Sequence, residues 1–167
     1  MKHLFLVGGT MGIGKTTVCQ ELKKLLPNAV FLDGDWCWDA DPFQVTDETK
    51  AMVQNNITYL LNSFLHCTAY ENVIFCWVMH QQKIIDDLLA DIDTAVCEVH
   101  AISLLCTPET LSERIGGDVS AGIRNPDVLA RSLPRLPLYE ALQTDKIYTD
   151  GMTPKEIAEL FAEKYTK

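Results

Sequence analysis

Residues 8–17 read GGTMGIGKTT, and this glycine-rich stretch directly follows an apolar run at residues 4–7. Glycine in the middle of a helix or strand costs about 0.5–1 kcal/mol relative to alanine. A cluster of glycines therefore indicates a place where the backbone turns sharply or approaches a ligand closely. The apolar run before it is short enough to be a buried strand, so the glycines are expected to follow the end of that strand.

The segment from Gly9 to Thr16, GTMGIGKT, matches the pattern G-x-x-x-x-G-K-[ST] at every fixed position, between a predicted strand and a predicted helix. Glycines let successive backbone N–H groups surround phosphate oxygens, and the helix N-terminus adds a favourable dipole. Lys15 is expected to reach the β- and γ-phosphates, and the Thr16 hydroxyl to ligate Mg²⁺. We therefore expect a nucleoside triphosphate to bind to Gly9, Thr10, Met11, Gly12, Ile13, Gly14, Lys15, Thr16 and Thr17.

The composition limits the possible classes of protein. The chain has 167 residues, a net charge of −9 and a mean hydropathy near zero, which fits one globular domain over residues 1–167. An acidic chain is a poor partner for nucleic acid, and no apolar run approaches the length of a membrane span. The six cysteines form no C-x-x-C pair, so neither a zinc site nor a disulfide framework is expected. We expect a cytoplasmic protein.

Short apolar runs alternate with helical patterns along the chain, which favours a parallel sheet covered by helices on both faces, an α/β fold. Proline follows Thr107, Asn125 and Thr153, and each of these three residues is a candidate N-cap. The predicted strands cover residues 4–7, 29–32, 73–79, 99–105 and 146–148. The predicted helices cover residues 15–26, about 47–65, about 81–91, a short one after Pro108, another after Pro126, and 154–165.

The chain resembles the small P-loop kinases, a group that includes gluconate, shikimate and adenylylsulfate kinases, chloramphenicol phosphotransferase and nucleoside monophosphate kinases. Besides GTMGIGKT, the resemblance depends on FLDGD at 31–35, CTPETLSERI at 106–115, an arginine-bearing segment before the last strand, and YTDGMTPKEIAEL at 148–160. It implies a three-layer P-loop NTPase fold, with a five-stranded parallel sheet in the order 2-3-1-4-5. It also implies an ATP- and Mg²⁺-dependent kinase that phosphorylates the hydroxyl of a small molecule.

Two aspartates, Asp33 and Asp35, follow the second predicted strand and flank Gly34. Phosphoryl transfer to a hydroxyl needs a carboxylate that orients the acceptor and takes its proton, and acidic help for Mg²⁺. In the kinases that the chain resembles, an aspartate at this point does this work. Both aspartates are candidate catalytic residues, with Asp33 also a candidate metal ligand, and the sequence does not decide which of them is the base.

Four arginines stand out in the acidic chain. Arg114 matches the arginine that in related kinases lies against the nucleotide base, and Arg124, Arg131 and Arg135 follow it. Guanidinium groups suit forked hydrogen bonds to phosphate. Together with the glycines at 116, 117 and 122, they predict a mobile lid at about 115–135. We expect Arg124 to take part in catalysis, and Arg114 and Arg131 to bind the nucleotide.

The third predicted strand ends in Val78, Met79 and His80, where many P-loop proteins have an aspartate. Its absence argues against a regulatory ATPase without a phosphoryl acceptor, although that interpretation stays open beside a nucleoside or nucleotide kinase. His80 is interpreted as a structural donor rather than a site residue. Trp36 and Trp38 either line the acceptor pocket or pack beneath the loop, and the sequence does not choose between these two roles.

Overall fold

A computed structural model describes all residues from Met1 to Lys167. The sheet has five parallel strands in the order β2-β3-β1-β4-β5. This confirms the predicted α/β fold and its strand order. The strands are β1 (Lys2–Gly8), β2 (Ala29–Asp33), β3 (Asn72–Trp77), β4 (Cys97–Leu105) and β5 (Asp145–Tyr148).

Six α-helices connect and cover the strands. They are α1 (Lys15–Leu25), α2 (Asp47–His66), α3 (Gln82–Ala90), α4 (Pro108–Ser120), α5 (Val128–Ser132) and α6 (Pro154–Tyr165). Every residue of β1 from Leu4 to Gly8 is buried, so both faces of the central strand are covered. This is the burial that a parallel sheet between two helical layers requires. No helix of the protein combines the length and the apolar character that crossing a membrane would need.

Threonine side chains cap the N-termini of three of the helices. The Thr46 hydroxyl accepts a hydrogen bond from the backbone N–H of Thr49 before α2, and Thr107 does the same for Thr110 before α4. Thr153 and Glu156 form a capping box at the start of α6, as predicted. These caps satisfy N–H groups that the first helical turn leaves without an intrahelical partner.

The prediction that Asn125 caps a helix beginning at Pro126 was wrong. The Asn125 carbonyl accepts a hydrogen bond from the backbone N–H of Val128 at 3.2 Å, which closes a turn around Pro126 and Asp127. The helix therefore begins only at Val128, and its N-cap residue, Asp127, makes no side-chain capping bond. Proline has a φ fixed near about −65° and no N–H, and these properties suit a turn as well as the first position of a helix.

The segment predicted to be a lid is mostly helical. The helix that starts at Pro108, expected to be short, continues for 13 residues and includes Gly116 and Gly117. Residues 121–127 then form the turn before α5, and a 3₁₀ helix from Leu133 to Ala141 leads to β5. A separate arginine-bearing lid is therefore not confirmed, because two of the three glycines lie within a regular helix.

The carboxyl ends of β1, β2 and β3 lie in one row of the sheet. Val7 of β1 pairs with Cys76 of β3, and Cys76 pairs with Asp33 of β2. The loop that follows β1, the aspartates that follow β2 and the residues that follow β3 therefore emerge at the same edge. In open parallel sheets ligands bind at this edge.

Candidate active site

The glycine-rich loop (residues 8–17) joins β1 to α1. Gly14 is the N-cap of α1 at φ +106°, a backbone conformation that residues with a Cβ rarely adopt, and no side chain caps this helix. The first N–H groups of α1 are therefore available to an anion. Inside the loop, Lys15 Nζ donates to the Thr10 carbonyl at 3.1 Å. The predicted phosphate-binding loop thus has the open helix N-terminus that this role needs.

Lys15 lies close to both candidate aspartates. Burial lowers the pKa of Lys15, while Cys76, Asp35 and Asp33 act in the opposite direction. The partly buried ammonium is therefore surrounded by negative charge at the place where the motif predicts the β- and γ-phosphates. A phosphate group would give it a further anionic partner.

Asp33 joins the loop to the end of β2. Thr16 Oγ1 donates to Asp33 Oδ2 at 2.8 Å, and the backbone N–H of Asp35 donates to Asp33 Oδ1 at 2.9 Å. The residue is buried, with 8% of its surface exposed. A hydroxyl and a carboxylate side by side are oxygen ligands of the kind that Mg²⁺ prefers. The structure thus brings together the two residues predicted to hold the metal.

Asp35 lies beside Asp33 and has a different environment. Trp77 Nε1 donates to Asp35 Oδ1 at 3.1 Å, and no side chain donates to Oδ2. Partial burial raises the pKa of Asp35, and the charge of Asp33 raises it further, against the opposing effects of Lys15, Trp77 and Arg124. A carboxylate with a raised pKa and a free oxygen has the properties of a general base.

The Trp77 indole packs directly on the backbone between the two aspartates. A Cβ at residue 34 would lie 2.5 Å from Trp77 Cγ, so only glycine permits this approach. Gly34 therefore lets the indole come close enough to reach Asp35. The strand end that lacks the usual acid thus contributes an aromatic donor that fixes the second aspartate.

A cavity of about 340 Å³ lies beside the glycine-rich loop. Arg124 Nε donates to Asp118 Oδ2 at 2.8 Å, and the terminal nitrogens of this guanidinium have no protein partner. The cavity is therefore lined by a cation that can still donate at least two hydrogen bonds. Its lining residues are Gly12, Ile13, Gly14, Thr17, Val18, Arg114, Asp118, Arg124, Met152, Pro154 and Ile157.

Arg114 is held by the backbone on both sides of this cavity. One terminal nitrogen donates to the Ile13 carbonyl at 3.1 Å and to Thr149 Oγ1 at 2.8 Å, and the other donates to the Thr149 carbonyl at 2.8 Å. The guanidinium thus joins the glycine-rich loop to the segment after β5. Its position beside the cavity fits the predicted nucleotide-binding role.

The side chain of Asp150, in the segment after β5, forms hydrogen bonds with Thr107. Its Oδ1 accepts hydrogen bonds from the backbone N–H and the hydroxyl of Thr107, both at 3.0 Å. The carboxylate thus joins the start of α4 to the segment after β5.

The structure does not bring the other two arginines to this cavity. The side chain of Arg131 is exposed and paired with Asp127 at 3.2 Å along α5. Arg135 lies near His80 and Tyr139. Burial lowers the pKa of His80, and the charge of Arg135 lowers it further; burial raises the pKa of Tyr139 against the opposing effect of Arg135. Neither His80 Nδ1 nor the Tyr139 hydroxyl has a hydrogen-bond partner.

The two tryptophans of the FLDGD-containing loop have different surroundings. Trp36 is 56% exposed and contacts Phe31 edge-on, with ring centroids 5.3 Å apart. Trp38 is partly buried and lies edge-on to both Phe43 and Trp77. Trp38 therefore packs beneath the loop, and Trp36 remains available to a ligand.

The family model described as an AAA domain matches residues 6–124, which is more than half of the chain. The chain belongs to the AAA domain family. No curated protein matches the sequence significantly.

Several solved structures have the same fold as this AAA domain. A tunicamycin resistance protein from Deinococcus radiodurans has 19% identity and a TM-score of 0.69, covering 98% of this chain and 95% of its own. A gluconokinase from Sinorhizobium meliloti 1021 has 19% identity and a TM-score of 0.67, with coverages of 94% and 87%. A shikimate kinase from Acinetobacter baumannii in complex with shikimate has 20% identity and a TM-score of 0.60, with coverages of 99% and 96%. The resemblance to small P-loop kinases is thereby confirmed at the level of the fold.

Sequence reasoning missed three residues that shape the site of this AAA domain. Trp77 donates a hydrogen bond that orients Asp35, and Asp118 accepts one that orients Arg124. The buried Ser132 accepts a hydrogen bond at its carbonyl from Thr10 Oγ1 at 2.8 Å and donates to the Met11 carbonyl, so α5 supports the glycine-rich loop. The position of Trp77 at the carboxyl end of β3 was a usable signal, whereas nothing in the sequence indicates the contact of Ser132.

We predict that Lys15→Ala weakens ATP binding at least about tenfold, or about 1.4 kcal/mol, because the phosphates lose a buried positive charge. Isothermal titration calorimetry measures this, with circular dichroism to verify the fold. Lys24→Ala is the matched control, since Lys24 lies on the same helix but is paired with Glu21 at the surface. Equal ATP affinity of the Lys15 variant and the parent would contradict the assignment of the loop.

We predict that Trp77→Phe lowers kcat/KM for the phosphoryl acceptor about fivefold, or about 1 kcal/mol, because Asp35 loses a partly exposed hydrogen bond. ATP affinity should not change, and the pH at which activity is half-maximal should rise, since that bond lowers the pKa of Asp35. Steady-state kinetics across pH measure both effects. Trp38→Phe is the control, because Trp38 packs against Trp77 beneath the loop and its indole makes no hydrogen bond within the protein. An equal loss in the two variants would show that Trp77 acts through packing alone.

Proposed function

We propose that this AAA domain is an ATP- and Mg²⁺-dependent kinase that transfers the γ-phosphoryl group to the hydroxyl of a small molecule. The observation that supports this most directly is the 2.8 Å hydrogen bond between Thr16 of the glycine-rich loop and Asp33 of β2. It joins the predicted phosphate site to a pair of carboxylates at the carboxyl edge of the sheet. The gluconokinase and shikimate kinase with the same fold are small-molecule kinases by name.

ATP would bind with its base in the cavity beside Arg114 and its phosphates along the glycine-rich loop. The loop N–H groups and Lys15 would then surround the β- and γ-phosphates. Arg124 would turn its free terminal nitrogens towards the transferred group and stabilise the charge that develops there.

The oxygen ligands at the end of the loop suit a hard cation. Thr16 Oγ1 and the Asp33 carboxylate would hold Mg²⁺ together with phosphate oxygens. When bound, Mg²⁺ neutralises charge on the β- and γ-phosphates and so favours departure of the leaving group. Asp33 accepts hydrogen bonds at both of its oxygens, which fixes its orientation towards this position.

Asp35 would take the proton of the acceptor hydroxyl. Its Oδ2 has no donor from a protein side chain, while its Oδ1 is held by Trp77, so the carboxylate is oriented and still has a free oxygen. The acceptor would lie on the side of Asp35 where the exposed Trp36 is found. We therefore assign the metal ligand to Asp33 and the base to Asp35, the two roles that the sequence leaves undivided.

Two other functions remain to be separated by experiment. A nucleoside or nucleotide kinase would use the same residues on a different acceptor, and a regulatory ATPase would transfer the phosphoryl group to water. The aspartate pair beside the glycine-rich loop favours a hydroxyl acceptor, because a base fixed by Trp77 serves to orient such a group.

The direct test is incubation of the protein with γ-labelled ATP, Mg²⁺ and a panel of polyols, sugar acids, ring-bearing alcohols and nucleosides. We expect the label on one class of non-nucleotide hydroxyl compounds. Label on a nucleoside or nucleotide would support the second function, and free labelled phosphate alone would support the regulatory ATPase. The Lys15→Ala protein, purified in parallel, controls for contaminating kinases.

We predict that Asp35→Asn lowers kcat about 10²-fold or more at saturating ATP and acceptor, because proton abstraction is lost. ATP affinity should change little, and the parent should lose activity on acidification at a higher pH than an ordinary aspartate would cause, because the pKa of Asp35 is raised. Asp33→Asn should instead raise the Mg²⁺ concentration needed for half-maximal rate. A reversal of these two results would exchange the roles of the aspartates.

A further inference from the structure

Three potential metal ligands lie at the amino edge of the sheet, away from the glycine-rich loop. His3 is on β1, and Glu98 and His100 are on β4. In the parallel β1–β4 ladder, His3 pairs with Glu98 and Phe5 pairs with His100. Since side chains alternate between faces along a strand, all three residues project from the same face.

The ligand atoms of this cluster are already close together. His3 Nδ1 lies 3.0 Å from His100 Nε2 and 4.0 Å from Glu98 Oε2, and the three atoms all lie within 4.8 Å of one another. Zinc bonds to nitrogen and oxygen at about 2.0–2.2 Å, so two ligands of a tetrahedral zinc ion are about 3.3 Å apart. The two imidazoles need to separate by only a few tenths of an ångström, and Glu98 is exposed and can rotate.

We propose that His3, Glu98 and His100 bind a divalent transition metal of the zinc type. Two imidazole nitrogens and one carboxylate are the donor set of many zinc sites with a fourth position open to water. This set favours zinc, copper, nickel or cobalt over Mg²⁺ and Ca²⁺, which prefer oxygen ligands.

The surroundings of His100 support this assignment. His100 is buried, with 7% of its surface exposed, and its ring lies between Phe5 and Tyr165 with ring centroids 5.0 and 4.9 Å away. This packing fixes the imidazole beside His3, so the ligand is already oriented before a metal binds. One of the two histidines donates the hydrogen bond between His3 Nδ1 and His100 Nε2. When a metal binds, that ring would change to its other tautomer, so that His3 Nδ1 and His100 Nε2 each present a lone pair.

Solvent has access to the cluster. His100 lines a surface cavity of about 480 Å³, together with Asp145 and Tyr165 among others. Tyr165 donates its hydroxyl to Asp145 Oδ2 at 2.7 Å, so that carboxylate already has a partner. The side chains of His3 and Glu98 are 23% and 59% exposed, so a metal ion can reach the cluster past them and keep a water as its fourth ligand.

The test is calorimetric titration of Zn²⁺ into the chelator-treated full chain, without a polyhistidine tag and without nucleotide. We expect saturable binding of one Zn²⁺ per chain and an increase in the thermal unfolding midpoint. Co²⁺ should give the visible absorption of tetrahedral nitrogen and oxygen ligation. Excess Mg²⁺ should not compete.

Three variants remove the ligands while keeping the approximate size of each side chain. Loss of a residue that only hydrogen-bonds to a metal ligand weakens metal binding about 10–100-fold. His3→Asn and His100→Gln remove ligands themselves, so each should weaken Zn²⁺ binding by more than this. Glu98→Gln should weaken Zn²⁺ binding at least about tenfold. His66→Gln is the control, because His66 forms an isolated surface pair with Asp93. Glu98 is exposed, so its variant should fold even where a histidine variant does not.

The absence of saturable Zn²⁺ binding to the parent would overturn the proposal and leave the histidine pair as a hydrogen bond within the sheet. Binding that is equally strong in Glu98→Gln and in both histidine variants would also overturn it, since the metal would then lie elsewhere, for example on the cysteines. Neither result depends on kinase activity, so the proposed function is tested separately.

Discussion

The hydrogen bond between Thr16 and Asp33 spans three strands of the sheet, and the geometry of the candidate site depends on it. Val7, Cys76 and Asp33 lie in one row across β1, β3 and β2. Neighbouring strands are about 4.8 Å apart, so the β1 and β2 backbones in this row are separated by about 10 Å. Thr16 reaches across the intervening strand from the first turn of α1, and its hydroxyl passes Cys76 Sγ at 3.9 Å. A larger side chain at residue 76 would obstruct this path.

This geometry explains how a carboxylate contacts the glycine-rich loop without an acid at the end of β3. The carboxylate comes from the next strand and reaches the loop over a small buried thiol. The residue after Cys76 is Trp77, whose indole fits over Gly34 and holds Asp35. One strand end thus supplies the space for the first aspartate and the donor for the second.

The sequence predicted all five strands and the glycine-rich loop, because apolar runs and the loop motif are local signals. It also identified Asp33 and Asp35, since parallel strands place their carboxyl ends at one edge. It did not reveal Trp77 as a donor or Ser132 as a support of the loop. Trp77 and Asp35 are 42 positions apart in the sequence, and Ser132 and Met11 are 121 positions apart. No local periodicity encodes such long-range contacts. The error at Asn125 had a local cause, because a proline turn and a proline helix start share the same residues.

 Arg114 and Arg124 line the same cavity but are held in different ways. The Arg114 guanidinium donates to three protein oxygens and is therefore a fixed part of the cavity wall. Arg124 has one partner, Asp118, and the side chains of this pair are each about one-third exposed. Ion pairs with this much exposure contribute about 0–1 kcal/mol, so exchanging Asp118 for a phosphate oxygen costs little. The weakly held arginine is thus the one suited to respond to ATP. Arg114, held by backbone carbonyls, is suited instead to fix the shape of the cavity.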